Sequence, residues 1–267
     1  MRGHWTCYAT AVRMTFVEHL RNRLALVIVV VFIPVWAVLI YALSLEIALP
    51  FHLRAAGRTV TLPANVLNQL GGALQISALI TGFMMFVTTL DSASFDRRLV
   101  RAGFPRLCLI AAKLTALVVV ALCVALYATG LICLTHPTAQ PLLLTAALAG
   151  GALIYGGIGI ALAAVLTTDL AGLVLVTVIC SIDLALQSPL ATPAAASVIV
   201  RYLPDYGPMQ WAVSSVALDT VPWSAAGPAA CWALVTAALG VSAFAARTRV
   251  HRPLGEPASV SPVRSHP

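Results

Sequence analysis

Residues 91–134 read DSASFDRRLVRAGFPRLCLIAAKLTALVVVALCVALYATGLICL. Four arginines crowd the first sixteen positions, and the 28 residues from Leu107 to Leu134 then carry a single charge, Lys113. Crossing the hydrocarbon layer takes about 20 mostly apolar residues in a helix. The run is therefore read as a membrane span, long enough to tilt or to project into water. Arginines beside such a run act as topology signals, because basic residues stay on the cytoplasmic side.

Working outward, five more segments follow the same pattern. They run from about Leu24 to Leu45, with Pro34 as a tolerated kink, Leu70 to Leu90, Leu142 to Thr167, Leu170 to Leu186 and Ala225 to Ala246. Arg2, Arg13, Arg21 and Arg23 precede the first span, and Arg247, Arg249, Arg252 and Arg264 follow the last. With Arg97, Arg98, Arg101, Arg106 and Lys113, thirteen of the sixteen Lys and Arg residues fall on one side. The other side keeps Arg54, Arg58 and Arg201. Both termini are thus expected in the cytoplasm, in agreement with an even number of spans.

Composition leads to the same class. Of 267 residues, 60% are hydrophobic and 9% charged, against about 25% charged in a soluble domain. Such a surface lacks the polar cover that water demands. The expected organisation is a single transmembrane domain over residues 1–250 and a Pro- and Ser-rich, disordered cytoplasmic tail over 251–267. The net charge of +7 comes from clusters flanking apolar runs, so nucleic acid is not an expected partner. Six cysteines without paired spacing point to neither a disulfide framework nor a metal site. The first apolar run is too long, and begins too late, for a signal peptide.

Two apolar segments are not expected to span. Residues 4–23 place Trp5, Ala9, Val12, Phe16 and Leu20 on one helical face, as in a helix lying in the interface. Between Ser188 and Trp223, prolines isolate two pieces, Ala194 to Leu203 and Met209 to Leu218. Pieces of about ten residues suit re-entrant or interfacial helices. The expected fold class is an all-α polytopic membrane protein, with about six transmembrane helices, an N-terminal interfacial helix and short outer helices before the last span.

Catalytic motifs are missing: the sequence holds no G-x-x-x-x-G-K-[ST] phosphate loop, no H-E-x-x-H and no G-x-S-x-G. A non-catalytic chain is expected. Asp183 is the one acid within a span, and a carboxylate there faces a cavity or partner, or else lies near the outer interface. Lys113 is its one foreseeable companion. In the fourth span Gly157 with Ala161, and Gly159 with Ala163, are small-xxx-small pairs that allow close helix approach, within the chain or across a dimer.

In residues 91–106, Ser92 or Ser94 is expected to cap a short cytoplasmic helix. Phe95, Leu99 and Ala102 would line its apolar face, with Asp96, Arg97, Arg98 and Arg101 around them, before Gly103 and Pro105 end it. The segment is either a docking element for a soluble partner or a solvated loop that only sets topology.

Taken in order, four features resemble the membrane subunits of type-2 ABC transporters. They are the amphipathic helix ending in HLRNRLAL, the stretch DRRLVRAGFPRLCLIAAKL, the outer segment VRYLPDYGPMQWAVSSVAL, and the six-span layout with a basic tail. The resemblance implies a permease of the bacterial plasma membrane, working with a cytoplasmic ATPase subunit and a second permease, identical or not. ATP and Mg would then sit on the ATPase, with no cofactor on this chain, and Phe95, Arg97, Arg98, Leu99 and Arg101 would form the coupling helix. The family's usual Glu-rich entry to that helix is here DSASFD. A hydrophobic or amphipathic small molecule is the expected cargo. Two other readings stand beside it: an ion-gradient transporter centred on Asp183, and a non-transporting scaffold or immunity protein.

Overall fold

A computed structural model describes residues 2–21, 23–44, 47–189, 191–192 and 197–247. The expected tail and residues 194–196 of the first outer piece lie outside the described residues. Where no water reaches the backbone, its N–H and C=O groups must pair within the segment, and a helix does this. The chain obeys with α1 (Arg2–Arg21), α2 (Arg23–Val27), α3 (Ile33–Leu43), α4 (Ala64–Arg101), α5 (Arg106–Thr135), α6 (Pro141–Leu162), α7 (Asp169–Gln187), α8 (Tyr206–Ala217) and α9 (Ala226–Arg247). Five of these regions, α4 to α7 and Trp223–Arg247, are long and apolar enough to cross a membrane. The architecture fits a helical, multi-pass membrane protein.

The first expected span is helical but not uniform. A π-helical turn, Ile28–Phe32, separates α2 from α3, just ahead of Pro34. Proline has no N–H to return to the carbonyl four residues earlier. That carbonyl belongs to Val30, and the Tyr127 hydroxyl on α5 donates to it at 3.2 Å.

The face of α1 that packs on α5 takes in only part of the apolar stripe. Ala11, Thr15 and His19 are buried, and Tyr8 Oη meets Thr115 Oγ1 at 2.8 Å. Trp5 and Leu20 are exposed. Val12 packs on the cluster of Ala11, Leu109, Ala112 and Phe244 and Phe16 is half-buried, so the stripe is divided between the bundle and the outside.

One element was not expected and one expectation needs correction. Beside the helices, β1 (Ala48–Leu53) pairs antiparallel with β2 (Arg58–Pro63), His52 opposite Thr59. Gly57, with φ of 65°, makes the turn. Alternation in RTVTLP was the available signal. In addition, no separate helix begins at Ser92 or Ser94. No Gly or Pro interrupts residues 83–101, so α4 runs on unbroken for 38 residues, about 57 Å at 1.5 Å per residue. It stops at Gly103, whose φ is 90°. Phe104 N–H bonds Leu99 O and Gly103 N–H bonds Val100 O, the Schellman pattern, and Leu99 and Phe104 both pack on the cluster around Leu109 and Phe244.

At the centre α4 and α6 lie against each other, with α5, α7, α8 and α9 around α6. The approach depends on glycine: a Cβ on Gly159 would sit 2.1 Å from Gly82 O, and one on Gly157 2.7 Å from Thr236 Oγ1 of α9. Ala163 is fully buried, and Ala161 is half-buried. These small residues serve packing within the chain. Leu122 and Leu126 of α5, Val174 and Val178 of α7, and Leu234 and Leu239 of α9 point outward, as lipid-facing side chains do.

Gly159→Ala should lower stability by about 1–3 kcal/mol, because backbone, not a flexible side chain, blocks the new methyl. Gly130→Ala on α5, with nothing within 4 Å of its Cβ, should instead be neutral or stabilising by up to about 1 kcal/mol. Thermal unfolding of both variants in detergent checks the contrast.

Candidate functional site

The end of the bundle where α4 stops and α5 begins gathers Arg97, Arg98, Arg101, Arg106 and Lys113. Arg97, Arg98 and Arg101 are exposed there, and Phe95 beside them is 41% exposed. Leu99 belongs to the other side of the helix. It is half-buried with Val100 and Phe104 against Ala11, Leu109, Ala112 and Phe244. Ala102 is exposed. The apolar face expected from the spacing is thus divided, with Phe95 outward and Leu99 inward.

Asp96 is likewise not part of the exposed surround. It is buried, as are Ser92 and Lys113. Lys113 Nζ lies 3.1 Å from Asp96 Oδ2 and donates to Ser92 Oγ at 2.7 Å. Ser92 Oγ donates in turn to Asp96 Oδ2 at 3.2 Å. The ammonium also stands 5.6 Å from the centre of the Phe244 ring on α9, within cation–π range. One buried cluster therefore clamps the last turns of α4 to α5, under the exposed arginines. An Arg247 N–H of α9 donates to Ala163 O at the end of α6. On α1, burial lowers the pKa of His19 and raises that of Glu18, and the Lys113 charge acts on both.

Lys113 is therefore committed to Asp96, not to Asp183. Asp183 has other partners and is only 2% exposed. It accepts from Tyr155 Oη at 2.8 Å, from Gln187 Nε2 at 2.6 Å and from the Asp205 backbone N–H at 2.9 Å. The second acid, Asp205, was missed in the sequence. In LPDYGP it precedes α8, and its side chain makes no cap hydrogen bond. Asp205 Oδ1 is buried with no hydrogen-bond partner among the described residues. It faces Gly151, where a Cβ would come within 2.8 Å. Loop and helix meet in space only because α8 is inserted, buried, between α4, α6 and α9. Near this site a cavity of about 250 Å³ opens between α4 and α7, lined by Leu67, Asn68, Gly71, Ser181, Leu184 and Met209 among others.

Among the described residues no cluster of His, Cys, Asp and Glu has the makings of a metal site. The chain matches no protein-family model, and no curated protein matches it.

Removing one member of the buried pair strands the other charge, which costs about 3–5 kcal/mol. Lys113→Ala alone should show that loss in thermal unfolding. Lys113→Met combined with Asp96→Leu should recover most of it, since an apolar pair leaves no stranded charge.

Proposed function

We propose that this chain is a permease subunit of an ATP-driven exporter of the type-2 ABC class, embedded in the bacterial plasma membrane. The helical region Arg23–Leu43 supplies the sixth span, α1 lies in the interface, α8 is re-entrant, and both termini are cytoplasmic. ATP and Mg bind to a separate cytoplasmic ATPase, and a second permease subunit completes the path.

The observation that carries the reading is the exposed group Phe95, Arg97, Arg98 and Arg101 on a helix end clamped to its neighbour. An apolar anchor with a basic surround suits a groove with an acidic rim. A push on that anchor is not absorbed locally, because Lys113, Asp96 and Ser92 tie it to α5. The same unbroken helix carries Leu67, Asn68 and Gly71 at the cavity beside α7, so one rigid element joins the docking end to a space for cargo. Because Leu99 has a packing role, Phe95 is the residue that tests docking without disturbing the fold.

The tagged chain, purified from its own membrane, should retain a stoichiometric soluble protein with a phosphate loop. Phe95→Asp should reduce that recovery by about tenfold or more. A chain recovered alone and still active in transport would overturn the proposal.

One observation favours a second reading, a carrier driven by an ion gradient. Asp183 and Asp205 are two buried carboxyls joined through a backbone amide, and such a pair can take up and release a proton. Under that reading Asp183→Asn abolishes transport. Under the permease reading the variant keeps transport within a few-fold, which a flux assay in vesicles separates.

A further inference from the structure

The basic residues of the opposite end, Arg54 and Arg58 of the hairpin and Arg201 far along the chain, meet at one place. With His52, Gly57 and Thr59 they line an open cavity of about 380 Å³. Among the described residues no acidic side chain lines it. No described carboxylate pairs with Arg58 or Arg201.

The cavity is held in shape from below. The hairpin tip is pinned twice at Ala55: its N–H donates to Gln210 Oε1 of α8 at 3.1 Å, and its carbonyl accepts from Ser224 Oγ at 2.6 Å. Phe51 and Leu53 are buried under the strand. His52 Nδ1 and Thr59 Oγ1 lie 3.0 Å apart across the two strands. Arg201 arrives on a 3-10 turn, Val198–Tyr202, whose Val200 is buried and whose Tyr202 carbonyl accepts from Trp232 Nε1.

The surroundings indicate where a ligand would come from. Val198, Ile199 and Tyr202, on the same turn as Arg201, are 66%, 65% and 75% exposed. Apolar side chains and a tyrosine beside a cationic cavity match the boundary between acyl chains and headgroups. Guanidinium groups bind phosphate oxygens in pairs, with geometric specificity that a lysine lacks.

We infer that this cavity binds a phosphate-type anion, presented by the headgroup of an anionic phospholipid at the membrane surface. The hairpin then acts as a lipid contact on the face remote from Phe95, and the inference stands whether or not the chain is a permease.

The test is native mass spectrometry of the purified chain titrated with short-chain phosphatidylglycerol, short-chain phosphatidylcholine or inorganic phosphate. Phosphatidylglycerol should be retained over phosphatidylcholine, and Arg58→Ala with Arg201→Ala should weaken its retention by about tenfold or more. Both side chains are exposed, so the fold should survive, and unchanged circular dichroism checks this. Inorganic phosphate bound as tightly, with the same dependence on Arg58 and Arg201, would assign the cavity to a free anion instead of a lipid. Retention unaffected by the double variant, or weakened equally by Arg97→Ala with Arg98→Ala, would overturn the site.

Discussion

A backbone that enters hydrocarbon has no water to bond, and an unpaired N–H or C=O there costs several kcal/mol. Much of this architecture follows from that constraint. Long helices satisfy it directly. The proline in α3 violates it, and the rescue is local and specific, with Tyr127 donating to the carbonyl that Pro34 leaves free. Arg247 does similar work by donating to Ala163 O beyond the end of α6. The hairpin of β1 and β2 sits outside the long helices, and its tip is bonded to Gln210 and Ser224.

Once helices are imposed, packing decides how they meet. Lipid is as apolar as leucine, so association relies on close contact and buried polar bonds, not on hydrophobic exclusion. Here both are present. Glycines at 82, 157 and 159 bring α4, α6 and α9 together, and Lys113 with Asp96 and Ser92 ties α4 to α5. A buried ion pair is weak evidence for stability. It does fix the orientation of the α4 terminus.

Several features were legible because their signals are local. The apolar runs for α5, α7 and α9 match the observed helices to within a residue or two at each end, and AGFP announces the end of α4. The amphipathic stretch of α1 forms a helix, but which face it would bury was not legible. Trp5 and Leu20 of its stripe turn outward, while Val12 packs inward beside Ala11. The split between Phe95 and Leu99 was hidden for the same reason, since periodicity shows that residues share a face without showing what that face meets. Asp205 was missed because its partner is 22 residues away and on another element.

The sequence by itself determined the class of the protein, its helical membrane architecture, because hydropathy and helix length are set by the bilayer and need no knowledge of neighbours. It also marked the two poles of charge, since arginines cluster at the ends of spans. Only the tertiary structure decided which charges meet: Lys113 with Asp96, Asp183 beside Asp205, and Arg54, Arg58 and Arg201 around one cavity. Those outcomes depend on distances between elements remote in the chain, and side-chain packing across helix interfaces sets such distances, not any local pattern.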